Sequence, residues 1–136
     1  MVTAADELVA AISNKSVDIA LVPANVASVL YNKTGGAVQV LNINTLGVLY
    51  IVESGDSVKS IADLKGKILY LTGKGTTPDY VLAYLLAQNG LTADDVTLEY
   101  KSEATEVAAV LAQDENAIGL LPQPFVTVAC AQNDKL

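Results

Sequence analysis

Gly73, Gly75, Thr76 and Thr77 are the residues of this chain best suited by type and spacing to hold a small ligand. They follow Lys67 to Leu71, a short apolar run of strand length. Thr77 suits a helix N-cap, Pro78 the first helical position, and Asp79 the positive end of the helix dipole. Glycines enter backbone conformations that cost other residues energy, so this loop can turn tightly and present N–H groups beside threonine hydroxyls. Open α/β sheets bind small ligands on such loops, at the carboxyl ends of their strands. The competing account is plain turn chemistry, because any strand-to-helix connection needs a tight turn. A nucleotide phosphate loop is excluded by spacing, since Lys74 precedes the second glycine, and the dinucleotide fingerprint is absent.

Other uncharged polar residues fall at comparable loops. Asn25 follows Pro23-Ala24, Thr45 lies in the crossover after Val38 to Ile43, and Gln123 sits between Pro122 and Pro124. The prolines stiffen two of these loops, which lowers the entropic cost of holding a ligand. The candidate ligand-binding set is therefore Asn25, Thr45, Gly75, Thr76, Thr77 and Gln123, with turn chemistry as the alternative for each. Glu103 and Glu106 lie three apart on one helix, a spacing that fits acid/base work or a hard cation, but acids also favour a helix N-terminus. Cys130, between Ala129 and Ala131 of an apolar helix, reads as a buried inert thiol. Tyr70 and Tyr100 read as core or sheet-face residues.

Composition narrows the chemistry. The 136 residues are 51% hydrophobic and 17% charged, which defines a globular chain. Histidine, arginine and tryptophan are absent and cysteine occurs once, so the commonest general base, an internal disulfide and a thiolate metal cluster are unavailable. No catalytic residue, metal site or cofactor is assigned. A net charge of −7 argues against a nucleic-acid partner. The apolar runs are too short to span a bilayer, and the acidic N-terminus does not read as a signal peptide.

Strand-like and helix-like patterns alternate along the chain. A helix capped by Thr3 precedes a strand over Val17 to Val22. A second helix follows Pro23, then strands over Val38 to Ile43 and Gly47 to Val52. After a polar turn at Glu53 to Ser57 come the strand at Lys67 to Leu71 and a helix ending at Asn89-Gly90. A strand over Val96 to Tyr100 leads to a helix capped by Ser102. The strand Ala117 to Leu121 and the helix Phe125 to Gln132 complete the chain. This order predicts an α/β fold of mostly parallel sheets with helical crossovers, divided into residues 1–53, a first lobe with its crossover strand, and 54–136, a second lobe. Loops leaving the carboxyl ends of such strands would line a shared cleft.

With these residues placed, the chain resembles the substrate-binding proteins of ABC transporters, of the type II periplasmic-binding class. It is most similar to the ThiY- and SsuA-like group that takes up thiamine precursors, nitrate and sulfonates. The resemblance is carried by Asp18 to Ala27, by the crossover Asn42 to Val52, and most specifically by Asp63-Leu64-Lys65-Gly66-Lys67 followed by the strand and the Gly-Thr loop. It implies a two-lobed fold with the first lobe incomplete, the chain being an internal fragment. It also implies capture of a small polar or anionic solute between lobes by hinge closure about Asn42 to Ser57, and delivery to a membrane permease. The parent protein is then expected in the periplasm or outside the cell, tethered through a lipid anchor. Incomplete sheets further imply pairing of copies through exposed strand edges. Two other classes stay open: an enzyme on the same fold, like the menaquinone-pathway dehydratases and pyrimidine-precursor synthases, and the ligand-sensing domain of a regulator.

Overall fold

The computed structural model describes residues 5–136, so Thr3 lies outside the described residues. The chain divides into two compact units, residues up to Leu46 and Gly47–Leu136.

In the first unit, helices α1 (Ala5–Ser13) and α2 (Ala24–Lys33) pack on one another, with Val26 and Leu30 buried. The Ser16 hydroxyl donates to the carbonyl of Ala11 and closes α1, and the Thr34 hydroxyl does the same for Leu30 at the end of α2. The strands expected over Val17 to Val22 and Val38 to Ile43 are not formed. Both segments are β-prone, but a strand exists only through the neighbour that completes its ladder. Apolar side chains of both stand in solvent: Ile19 is 77% exposed, Leu21 78% and Leu41 75%.

The second unit is a three-layer α/β structure. Its sheet has the order β1 (Leu49–Glu53), β4 (Ile118–Pro122), β2 (Ile68–Thr72), β3 (Thr97–Lys101). β4 and β3 run parallel to β2, while β1 is antiparallel to β4. The alternation of strand side chains divides the core. Leu69, Leu71, Ile118 and Leu120 face α3 (Thr77–Gln88) through Leu82 and Leu86. Leu121, Val52 and Tyr70 pack instead with Val107 and Leu111 of α4 (Ala104–Gln113) and Ala129 of α5 (Phe125–Gln132). Cys130 is exposed, which corrects the expectation of a buried thiol. An apolar helix without charges does not announce its inward face, and here Val126 and Ala129 take that role.

α4 approaches β4 closely because residue 119 is glycine. A Cβ there would lie 3.0 Å from both Leu111 Cδ1 and Val107 Cγ1. Gly119→Ala is expected to destabilise this unit by about 1–3 kcal/mol through overpacking. An unchanged midpoint in denaturant would show that α4 can shift away without cost.

The turn after β1 is tied down. Ser54, 1% exposed, donates its N–H to the Ala117 carbonyl at 2.9 Å. The Glu53 carboxylate accepts the amides of Ser57 (2.8 Å) and Val58 (2.9 Å) and the Ser57 hydroxyl. Burial pushes Glu53 up, but those hydrogen bonds and nearby Lys67 hold its carboxyl below the usual range.

Candidate functional site

β2, β3 and β4 run in one direction, so the loops that leave their carboxyl ends share one edge of the sheet. The loop Gly73–Thr76 follows β2, Ser102-Glu103 follows β3, and Gln123-Pro124 follows β4. Since β4 and β2 are neighbours, Gln123 and the glycine loop leave adjacent strands. Asn25 and Thr45 belong to the first unit. Asn25 is half-buried in the first turn of α2, and exposed Thr45 donates its hydroxyl to Asn44 Oδ1 at 3.1 Å.

The glycine loop is closed by its own bonds. Thr76, extended at φ −121°, stands at the cap position one residue before the expected Thr77. Its amide and hydroxyl both donate to the Gly73 carbonyl, at 2.9 and 2.6 Å. Gly73 has φ +71°, and a Cβ at that position would fall 2.4 Å from Thr76 Oγ1, so only glycine permits this turn. The Gly75 amide donates to Asp79 Oδ2 at 2.8 Å, and the Tyr100 hydroxyl donates to Asp79 Oδ1 at 2.5 Å. Lys74 Nζ lies 5.4 Å from the centre of the Tyr100 ring, a cation–π distance. Lys101 stands similarly over Tyr70 at 5.3 Å.

Sequence reasoning missed the Asp79–Tyr100 pair. Tyr100 does pack against the core, but it lies opposite Leu71 one residue before the end of β3, so its hydroxyl reaches Asp79 at the carboxyl edge. Nothing local to either residue signals the pairing, because its members lie 21 positions apart. Burial pushes the Tyr100 phenol up, and the hydrogen bond and charge of Asp79 push it further, to about 12. The folded value thus exceeds the ordinary 10.0, so the stability contributed by neutral Tyr100 is complete below pH 10 and is lost as pH rises toward 12. In denaturant melts over that window, wild type is expected to lose stability more steeply than Tyr100→Phe. Parallel curves would mean that the phenol is not coupled to folding.

At the neighbouring turn, the Gln123 amide donates to the Val48 carbonyl at 3.1 Å, and its Oε1 accepts the Thr127 hydroxyl at 2.9 Å. The peptide bond between Gln123 and Pro124 is cis. Beyond β3, Glu103 takes the cap position of α4, and Glu106 accepts the Ser102 amide at 3.2 Å. Both acids are exposed, so this pair serves the helix end. A recess of about 350 Å³ lies away from this edge, at the amino ends of β2 and β4. It is lined by Ser57, Lys67, Ile68 and Asn116, and Lys67 there already donates to the Ser57 hydroxyl at 2.8 Å.

The strand-to-helix loops of this mixed α/β sheet share its carboxyl edge, where open α/β sheets take small ligands. The chain belongs to the family of the ABC transporter, phosphonate, periplasmic substrate-binding protein, whose model matches residues 1–135. It is similar to an ABC transporter structure from Parabacteroides distasonis, with 29% identity and a TM-score of 0.79 over 98% of this chain and 44% of that one. It is also similar to the periplasmic aliphatic sulphonate binding protein SsuA of Escherichia coli, at 26% identity and a TM-score of 0.52. The alkanesulfonate-binding SsuA of Xanthomonas axonopodis pv. citri, solved bound to MOPS, gives 27% and 0.53. Each SsuA match covers 63% of this chain, and 28% and 29% of those chains respectively. A Brucella abortus (strain 2308) protein named only as a binding protein is 31% identical over 91 residues, 67% of this chain. The chain thus spans 28% of the length of that curated relative.

Proposed function

We propose that this chain is the solute-capturing part of an ABC importer. It holds a small polar or anionic molecule without transforming it and passes it to a membrane permease. The observation that carries this proposal is the placement of the Gly73–Thr76 loop and the Gln123 turn on adjacent strands at one sheet edge. Thr76, Thr77 and Gln123 are the proposed contacts from the second unit, with the Gly75 backbone beside them. Asn25 and Thr45 are those from the first. Capture proceeds by hinge closure, and the flexing part of the crossover is Asn42–Val48, because the Glu53–Ser57 turn is bonded into its own unit. Binding without catalysis is supported by the use of Glu103 and Glu106 at the end of α4.

On this reading the protein works in the periplasm or outside the cell, with a lipid anchor as its proposed tether. The solvent-exposed apolar segments of the first unit also support pairing between copies, which sedimentation at increasing concentration tests. The main test is a thermal-shift screen with phosphonates, alkanesulfonates, nitrate and thiamine precursors. At least one compound is expected to raise the melting temperature, and Thr76→Ala combined with Thr77→Ala is expected to abolish that rise. No response to any of these compounds would overturn the proposal.

A further inference from the structure

The amide-lined end of α3 already holds an anion of its own. One Asp79 oxygen accepts the Gly75 amide at 2.8 Å and the other accepts the Tyr100 hydroxyl at 2.5 Å, so two separate elements fix the carboxylate in place. Thr76 spends its hydroxyl proton inside the turn, on the Gly73 carbonyl. Lys74, the cation of this loop, lies over the Tyr100 ring, where it offsets some of the charge without releasing the Gly75 amide. A phosphonate or sulfonate approaching this loop therefore meets a fixed negative charge and an amide that is already bonded.

Resting on the solute-binding proposal above, we infer that Asp79 is a specificity-determining residue: its carboxylate closes the Gly73–Thr76 loop to oxyanions. The ligand group that meets this loop is neutral or hydrogen-bond-donating, and an anionic ligand seats its charged head elsewhere on the sheet edge. The family and the sulfonate-binding neighbours give this a sharp consequence, because any oxyanion ligand must be held here without the Gly75 amide.

The test follows the Gly75 amide by nitrogen–proton NMR while the intact chain is titrated with inorganic phosphate and with methylphosphonate. In wild type the Gly75 resonance is expected to stay in place with both probes. In Asp79→Ala, which removes both the charge and the acceptor of the Gly75 amide, it is expected to shift, with phosphate affinity raised about tenfold or more. Asp79→Ser, which removes the charge with a smaller side chain, is expected to behave likewise and guards against a folding defect of one variant. Saturable movement of Gly75 in wild type would overturn the inference, as would unchanged phosphate affinity in both folded variants. Either result leaves the solute-binding proposal standing, because that depends on the ligand screen and on Thr76 and Thr77.

Discussion

Replacing Leu71 with alanine is expected to lower the unfolding free energy of the 47–136 unit by about 2–5 kcal/mol. Leu71 is fully buried on β2, a strand with a neighbour on each side, and it belongs to the cluster that includes Leu82 and Leu86 of α3. The truncation removes apolar burial and leaves a void that a strand fixed from both sides cannot collapse to fill. Ile68→Ala on the same strand is the internal control. Ile68 is 47% exposed, so its loss should be less than half that at Leu71. Whole domains of this size are stable by only about 5–15 kcal/mol, so Leu71→Ala alone threatens the unit. Equal losses at the two positions in denaturant titrations would contradict the layering described for this sheet.

The second large effect is expected at Asn133, just beyond α5. Its side-chain amide donates to Ser54 Oγ at 3.2 Å and to the Leu111 carbonyl at 3.0 Å, while its Oδ1 accepts the Lys135 amide at 3.0 Å. One side chain thus joins the end of α5, the last turns of α4 and the turn after β1. Ser54 is the only buried polar residue among the described ones, so removing its partner leaves a hydroxyl that water does not reach. Asn133→Asp keeps the volume but replaces the donor with an acceptor that faces a carbonyl and a hydroxyl. It is expected to cost about 2–4 kcal/mol, from two polar groups stripped of their partner. A variant as stable as wild type would show that Ser54 finds another bond.

Most of the second unit was legible in the sequence because its signals are local. The apolar run at residues 67–71, the glycine turn, Pro78 and the apolar face of the following helix all lie within a few positions of one another. The structure places β2 and α3 there, with Thr76 rather than Thr77 at the cap. Helix α5 coincides with the predicted Phe125 to Gln132. What failed to show depends on distant partners. Val17 to Val22 and Val38 to Ile43 have strand composition, but composition does not supply a neighbour. The antiparallel direction of β1 is likewise fixed by β4, far along the chain. At the candidate site, the turn chemistry of Gly73 to Thr77 was readable, whereas the carboxylate that fills it was not. Asp79 looked like ordinary helix-end chemistry until Tyr100 was found bonded to it.

The position of β4 between β1 and β2 governs how this unit comes into being. As the polypeptide leaves the ribosome, residues 49–53 emerge first, and their neighbour, residues 118–122, comes last of all the strands. Until then β1 has nothing to join and the β2–β3 pair lacks one of its flanks, so the apolar faces of both wait for the final strand. Assembly is therefore a late, concerted event dominated by contacts between distant stretches of chain, of the kind that folds slowly. During synthesis, the half-made product is the species most in need of a chaperone.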